Sequence, residues 1–222
     1  LLTEQGVAAV KWYGIVPGNR ERGLPDFNPL LMLNDVETGL TLAIIEGDWI
    51  TAVRTAAISA TAAGLLARPE SASLGLIGSG RQAWAHFEVL RNQYPLRHLS
   101  IFSRNAATAG EIAKEAERHG LSAKVCTEAR QAVAGHDIVV SAVPRRSKPI
   151  GFLDAGWLEP HAFAAMAELG YAWSADTLRS IDFLVSDELD EKTGMSPEHL
   201  NFTGPFETSL ASLLVGRRPL PT

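Results

Sequence analysis

The sequence has a single cysteine, Cys126, among 222 residues, so no disulfide can form within the chain. No signal-peptide pattern precedes the first apolar segment, and together these features lead us to expect a reducing cytoplasm. Cys126 itself reads as a buried strand residue. Charge of one sign is nowhere concentrated: 20 Lys and Arg stand against 25 Asp and Glu, for a net charge of −5 and a pI near 5.7. That balance argues against a nucleic-acid surface and leaves a small molecule as the expected partner. Long hydrophobic runs are also missing. The longest uncharged apolar segment, Thr55 to Ala67, falls short of the roughly 20 residues of a membrane span and is rich in alanine, so it predicts a packed helix and no membrane partner. The six histidines, at 86, 98, 119, 136, 161 and 199, are scattered without metal-ligand spacing. Neither a G-x-S-x-G elbow nor a Walker loop occurs, and metal-dependent, hydrolase and NTPase readings lose ground together. The start at Leu1 and the stop in Arg-Arg-Pro-Leu-Pro-Thr lead us to expect that both ends are cut.

What is present is a composition 46% hydrophobic and 20% charged, that of a globular protein able to bury one full domain and part of another. Ala8 to Val16 is rich in β-formers, and Leu30 to Val36 and Leu40 to Gly47 flank a Glu37-Thr38-Gly39 turn, which predicts a hairpin. The Pro-, Gly- and Asn-rich stretch from Pro17 to Pro29 predicts a long loop. A helix is expected over Asp48 to Ala67, with Asp48 as its N-cap. From Ser73 the pattern changes to short apolar runs alternating with helical periods. SLGLIG, HLSIFS, SAKVC, HDIVVSAV, HAFAAMA and IDFLVS predict six parallel strands with crossover helices, a doubly wound α/β unit. A boundary is placed near Arg68 to Ala72, and ETSLASLLVGRR predicts a last helix returning toward the first part. The expected division is 1–68, 69–206 and 207–222.

The run Leu76-Ile-Gly-Ser-Gly-Arg-Gln-Ala83 fits G-x-G-x-x-[GA] between a strand and a helix. Gly78 permits a tight turn, Gly80 lets a pyrophosphate approach the backbone, and Ala83 allows close helix packing. Phosphates are then expected at the helix N-terminus, where free N–H groups and the dipole favour anions. The end of the second strand, in NAD sites the place of an acid for the ribose, carries Ser103, Arg104 and Asn105 and no carboxylate. A hydroxyl, a guanidinium and an amide suit a 2′-phosphate, favouring NADP(H) over NAD(H); the plainer alternative is that Ser103 or Asn105 caps the next helix. Ser141, Ala142 and Val143 end the fourth strand, at the edge where such folds hold ligands. Two bases sit among apolar residues, Lys11 in AAVKWYG and Arg54 in TAVRTAA. Each is either a snorkelling surface residue or part of a carboxylate clamp.

The ordered set VKWYG, then PGN, GLP and LND with ETG, then TAVRTAAISATAAGLLARP, then LGLIGSGRQA resembles the ornithine cyclodeaminase/mu-crystallin family, over about Val10 to Arg218. The resemblance implies a Rossmann-type doubly wound parallel sheet plus part of a mixed α+β substrate and dimerisation domain, in a homodimer that acts with NAD(P) on the C–N bond of an amino acid or imine. It implies Lys11 as the active-site lysine, Arg54 as the substrate-carboxylate ligand beside Thr55 on the cofactor side, and Gly78, Ser79, Gly80, Arg81 and Gln82 as the cofactor loop. Ser103-Arg104-Asn105 is similar to the NADPH-using mu-crystallin side.

One departure bears on the chemistry. Where the family carries an aspartate after the fifth Rossmann strand, this chain reads HAFAAMAELGYAW, and Glu168 is the nearest acid, expected to exchange a proton with the reacting nitrogen. The main expectation is therefore an oxidoreductase. The alternative is a catalytically weak, crystallin-like protein that binds NADPH and a small ligand.

Overall fold

The computed structural model describes residues 5–16, 18–144, 150–189, 202 and 204–220. They form two compact units, divided between Arg54 and Thr55.

The first unit is a three-stranded antiparallel sheet of β1 (Val7–Ile15), β2 (Phe27–Asp35) and β3 (Thr41–Glu46), in that order. The expected hairpin is present. Asp35 nucleates its turn by accepting, on Oδ1, the backbone N–H of Thr38 at 2.7 Å and the Thr38 hydroxyl at 2.7 Å. Gly39 closes it at φ +72°, a left-handed conformation that costs glycine little. The predicted long loop is shorter than the sequence suggested. β2 starts at Phe27 and takes in Pro29, opposite Tyr13, and a 3-10 turn over Asn19–Arg22 occupies part of the remainder. Asn19 anchors that turn through its side-chain N–H to the Pro25 carbonyl, 3.0 Å away.

Helix α1 (Asp48–Leu66) follows. Asp48 lies in its first turn rather than before it. The Gly47 carbonyl, which accepts from the Thr51 N–H at 3.0 Å and the Thr51 hydroxyl at 2.6 Å, takes the capping position expected of Asp48. Because the helix begins seven positions before Thr55, it is the one helix among the described residues long and apolar enough to cross a membrane. Its row of Ala52, Ala56, Ala60 and Ala63 is nevertheless buried, as small residues are where a helix packs closely. The division at 54/55 falls inside α1, upstream of the expected boundary at 68/69. The physical reason is that Ala62, Ala63, Leu66 and Ala67 pack against the core of the second unit.

That second unit holds a parallel sheet of β4 (Ser73–Ile77), β5 (His98–Phe102), β6 (Ser122–Cys126), β7 (Ile138–Ser141) and β8 (Phe163–Met166), in the order β6-β5-β4-β7-β8. Helices α2 (Arg81–Gln93) and α3 (Ala106–Arg118) make the first two crossovers. Apolar residues cover both faces, as parallel sheets require: Leu74, Leu76, Ile138 and Val140 meet Phe87, Leu90 and Ile112 on one side, while Ile77 and Val139 meet Leu153, Ala172 and Trp173 on the other. At the amino ends of β4 and β7, the Asp137 carboxylate accepts the N–H groups of Ala72 and Ser73, the Ser73 hydroxyl and the Arg68 guanidinium.

Two expectations are corrected. β6 and β7 are joined by a 3-10 turn over Ala129–Ala132 rather than by a helix. The Ala132 carbonyl lies 1.9 Å from where a Cβ on Gly75 would stand, so backbone rests directly on β4. The sixth apolar run does not extend this sheet: only Val185–Ser186 (β9) is extended, and it pairs with Thr208–Ser209 (β10) in a separate two-stranded parallel ladder. Those residues lead into α5 (Leu210–Leu214), shorter than the expected terminal helix, and between β8 and β9 lies α4 (Ala175–Leu178).

Gly75→Ala should therefore destabilise the protein by about 2–3 kcal/mol through overpacking against a carbonyl that cannot swing aside. Urea unfolding measures it, and a loss within about 0.5 kcal/mol, the range of an inert surface substitution, would contradict the close approach.

Candidate functional site

The sequence direction of the crossovers reverses at β4, with β5 on one side and β7 on the other, and ligands in open α/β sheets bind at the carboxyl ends beside such a switch. The glycine loop lies there. Gly78 adopts φ +109°, and a Cβ on it would stand 2.5 Å from the Ala142 carbonyl. Its N–H donates to the Phe102 carbonyl at 2.8 Å, while the Ala142 N–H donates to that of Ile77 at 2.8 Å, so the loop is tied to the ends of both neighbouring strands. Gly80 is the N-cap of α2, no side chain caps that helix, and nothing lies within 4 Å of where its Cβ would be. An open, side-chain-free helix N-terminus fits a pyrophosphate. Arg81 is exposed, Ala83 is buried in the core, and Gln82 is half-buried, with a side-chain oxygen that has no partner among the described residues.

At the end of β5 the side chains form a connected cluster. Ser79 Oγ donates to Ser103 Oγ at 2.7 Å and lies 2.6 Å from Thr108 Oγ1. Asn105 caps α3, its Oδ1 accepting from the N–H groups of Ala107 and Thr108; the plainer alternative for Asn105 is thus present alongside any ligand role. Arg104 is exposed. Thr108 was not singled out from the sequence, although a hydroxyl three residues past a cap, in Asn-Ala-Ala-Thr, was there to be read.

At the end of β7, Ser141 is fully buried, and its hydroxyl donates to Glu168 Oε1 at 2.9 Å while accepting the indole N–H of Trp173 at 2.8 Å. Its hydroxyl is thus engaged with Glu168 and Trp173 at the sheet edge; Ala142 and Val143 beside it are half-buried. Glu168 follows β8 and is 5% exposed. Oε1 also receives the Ala172 N–H at 3.3 Å, whereas Oε2 is buried without a partner among the described residues. The next residue, Leu169, has φ +64°, a strained conformation for a side chain of that kind. Burial pushes the Glu168 carboxyl up to about 7, against the lowering effect of the Ser141 hydrogen bond. Trp173 was missed because only its partner shows why a buried indole belongs there.

The first unit carries the other two expected residues. Lys11 on β1 holds its Nζ 5.9 Å from the Tyr13 ring centre and 5.6 Å from that of Phe27, two rings that pack 5.3 Å apart. Partial desolvation, then the positive charge of Arg54, lower the pKa of its ammonium. Arg54 is exposed on α1, and Thr55 after it is half-buried. Among the described residues neither Lys11 nor Arg54 has an acidic partner, so the pair presents uncompensated positive charge.

The parallel strand order, the glycine loop at its switch point and the open N-terminus of α2 define a Rossmann-type α/β protein. The chain belongs to the ornithine cyclodeaminase/mu-crystallin family, whose model matches residues 1–177. It is 34% identical to an alanine dehydrogenase of Archaeoglobus fulgidus over 154 residues, 69% of this chain and 46% of that protein. It is 32% identical to the ketimine reductase mu-crystallin of Mus musculus over 145 residues, 65% of this chain and 44% of that one. These matches span less than half of the relatives' length. Among solved structures, the Δ1-pyrroline-2-carboxylate reductase of Thermococcus litoralis in complex with NADH and L-proline superposes with a TM-score of 0.81 at 26% identity, over 96% of this chain and 69% of that one.

The raised pKa of Glu168 has a consequence for stability. Between the usual carboxyl value of 4.5 and about 7, the folded protein keeps a proton that the unfolded chain has released, so stability falls as pH rises through that window. Glu168→Gln cannot ionise and should remove that slope, narrowing a wild-type loss on the order of 2–3 kcal/mol between pH 5 and 8. Parallel urea-denaturation profiles for the two proteins would contradict it.

Proposed function

We propose that the protein is an NAD(P)-dependent oxidoreductase acting on the C–N bond of an amino acid or its cyclic or linear imine, with NADP(H) favoured over NAD(H). The observation that carries the substrate side is the pair of cations, Lys11 and Arg54, without an acidic counterion among the described residues. A substrate carboxylate supplies that counterion, and Arg54 can take it with two parallel N–H donors, which also orients the α-carbon. Lys11, its ammonium pKa lowered, sits beside the reacting nitrogen as an electrostatic or proton-transfer partner. Glu168, with a carboxyl near neutrality, is the acid that gives or takes the nitrogen proton. A nicotinamide nucleotide held at Gly78–Gln82 supplies or accepts the hydride; Gly80 and the amides of α2 take its pyrophosphate, and Ser103, Arg104 and Asn105 its adenosine ribose. Preference for NADP(H) rests on the absence of a carboxylate at the end of β5, although the related reductase was solved with NADH.

We infer that it works as a homodimer. One face of the first unit's sheet leaves Val10, Trp12, Leu30, Met32 and Ile44 exposed, and the strand register sets Trp12 opposite Leu30, and Met32 opposite both Val10 and Ile44. A contiguous apolar face of this kind is what an interface covers.

A second reading, a catalytically weak NADPH- and small-ligand-binding protein, is favoured by the burial of Glu168 and its engagement with Ser141 and Ala172. Steady oxidation of NADPH with Δ1-pyrroline-2-carboxylate, followed in parallel with NADH, separates the two: turnover is expected, and cofactor binding without turnover across a panel of amino acids and imines supports the second reading. Arg54→Ala should lower kcat/KM more than about tenfold through loss of a charged hydrogen bond. A smaller loss would remove Arg54 from the carboxylate role.

A further inference from the structure

The hydrogen bonds around Glu168 have a direction, and an indole fixes it. An indole N–H can only donate, so at the 2.8 Å contact between Trp173 Nε1 and Ser141 Oγ the hydroxyl accepts, and its own proton goes to Glu168 Oε1, 2.9 Å away. Oε1 also receives the Ala172 N–H at 3.3 Å, whereas Oε2 has no partner among the described residues. An acid proton placed on Oε1 would turn toward Ser141 and leave the O–H of that fully buried serine without an acceptor among the described residues, which costs more than one formed bond gains. The proton of the neutral acid therefore belongs on Oε2. Backbone holds both ends of the arrangement. The Ser141 carbonyl accepts the N–H of Ala167, the residue before Glu168, at 3.0 Å, and the Leu153 N–H donates to the carbonyl of Ala172, the residue before Trp173, at 2.9 Å. Trp173 is itself fully buried and shares a core with Ile77, Val139 and Leu153.

We propose that Ser141 and Trp173 are positioning residues for Glu168: Trp173 aims the Ser141 hydroxyl, the hydroxyl keeps Oε1 an acceptor in both protonation states, and Oε2 is left as the oxygen that gains and loses the proton. Each acts through Glu168, Trp173 by way of Ser141. When the proton leaves Oε2, the charge is shared with an oxygen that two donors already hold, so ionisation needs little rearrangement of the buried surroundings. Among the described residues no charged side chain is bonded to Glu168. Burial raises its pKa, and the Ser141 hydroxyl, followed by the backbone N–H groups of Glu168 and Ala172, lowers it. A hydrogen bond to the ionised form favours that form, so the hydroxyl brings down a carboxyl that burial alone would keep protonated to higher pH. The inference rests on the reading of Glu168 as the acid that exchanges a proton with the reacting nitrogen.

Infrared difference spectra recorded from about pH 5 to 9 follow the protonated-carboxyl band of Glu168, assigned as the band that Glu168→Gln abolishes. Ser141→Ala should raise its titration midpoint by about one to two pH units, the effect of losing a hydrogen bond to a charged group. Ser141→Thr, which keeps the hydroxyl, should return the midpoint to its wild-type position. Trp173→Phe, which keeps a ring and removes the donor, should raise it by less than the alanine variant. The pH profile of Δ1-pyrroline-2-carboxylate reduction should move with the band. An unchanged midpoint in a Ser141→Ala protein with wild-type near-UV circular dichroism overturns the inference. So does an equal shift in the alanine and threonine variants, which is what altered packing alone gives. Where Ser141→Ala does not fold, Trp173→Phe carries the test, and a midpoint at or below the wild-type one overturns the inference. A band that shifts as expected while the kinetic profile stays put supports the positioning and removes Glu168 from proton transfer, whereas a wild type without the band overturns both.

Discussion

The central strand and the loop that leaves it tolerate no side chain at two places where backbone must touch backbone. At Gly75 the Ala132 carbonyl would lie 1.9 Å from a Cβ, and at Gly78 the Ala142 carbonyl would lie 2.5 Å from one. The first contact seats the turn after β6 directly on β4. The second draws the end of β7 against the loop that opens α2. Because Gly78 is also bonded to the Phe102 carbonyl, the ends of β5, β4 and β7 are fixed together, and the open amides of α2 and the hydroxyls after β5 inherit their positions from that contact.

Around this edge the buried polar groups are organised by satisfaction. Ser141, Trp173 and the Ala172 N–H serve one oxygen of Glu168 or the hydroxyl that binds it, and an unsatisfied buried polar group costs more than a formed bond gains. Oε2, without a partner among the described residues, therefore stands out. A carboxyl pushed toward neutrality can present that oxygen as O–H or as O⁻ at little cost in free energy, which is the property required of an acid that exchanges protons near pH 7. The same burial that makes the group suitable also removes it from solvent, and the next residue, Leu169, has the strained φ of +64°.

The sequence was most legible where local chemistry decides structure. β1, the Asp35–Gly39 turn, α1, the glycine loop and the Asn105 cap follow from β-branching, turn residues, alanine periodicity and side-chain capping over a few positions. It was least legible where distant backbone decides. Nothing in SAKVCTEARQA announces that Ala132 must lie on Gly75, so a helix was expected where a 3-10 turn fits. IDFLVS has the composition of a buried strand, yet a two-residue pairing with Thr208 and Ser209 takes it out of the main sheet. Ser141 illustrates the same limit at the site. Its place at a strand end suggests a ligand contact, and nothing local to it announces that its hydroxyl also bonds Glu168 and Trp173, 27 and 32 residues farther on.

Lys11 and Arg54 could not be separated from ordinary surface bases by pattern, since an isolated cation among apolar residues is commonly one that snorkels. Both remain exposed in the structure, and what sets Lys11 apart is its setting: two aromatic rings near its ammonium, with desolvation and then the charge of Arg54 lowering its pKa. The Tyr13 and Phe27 rings offset part of the cost, because a ring face attracts a cation without neutralising it. An aspartate in their place would remove the repulsion and also remove the attraction for an anion. A lysine set against aromatic faces rather than a carboxylate keeps the positive charge that a carboxylate ligand can satisfy.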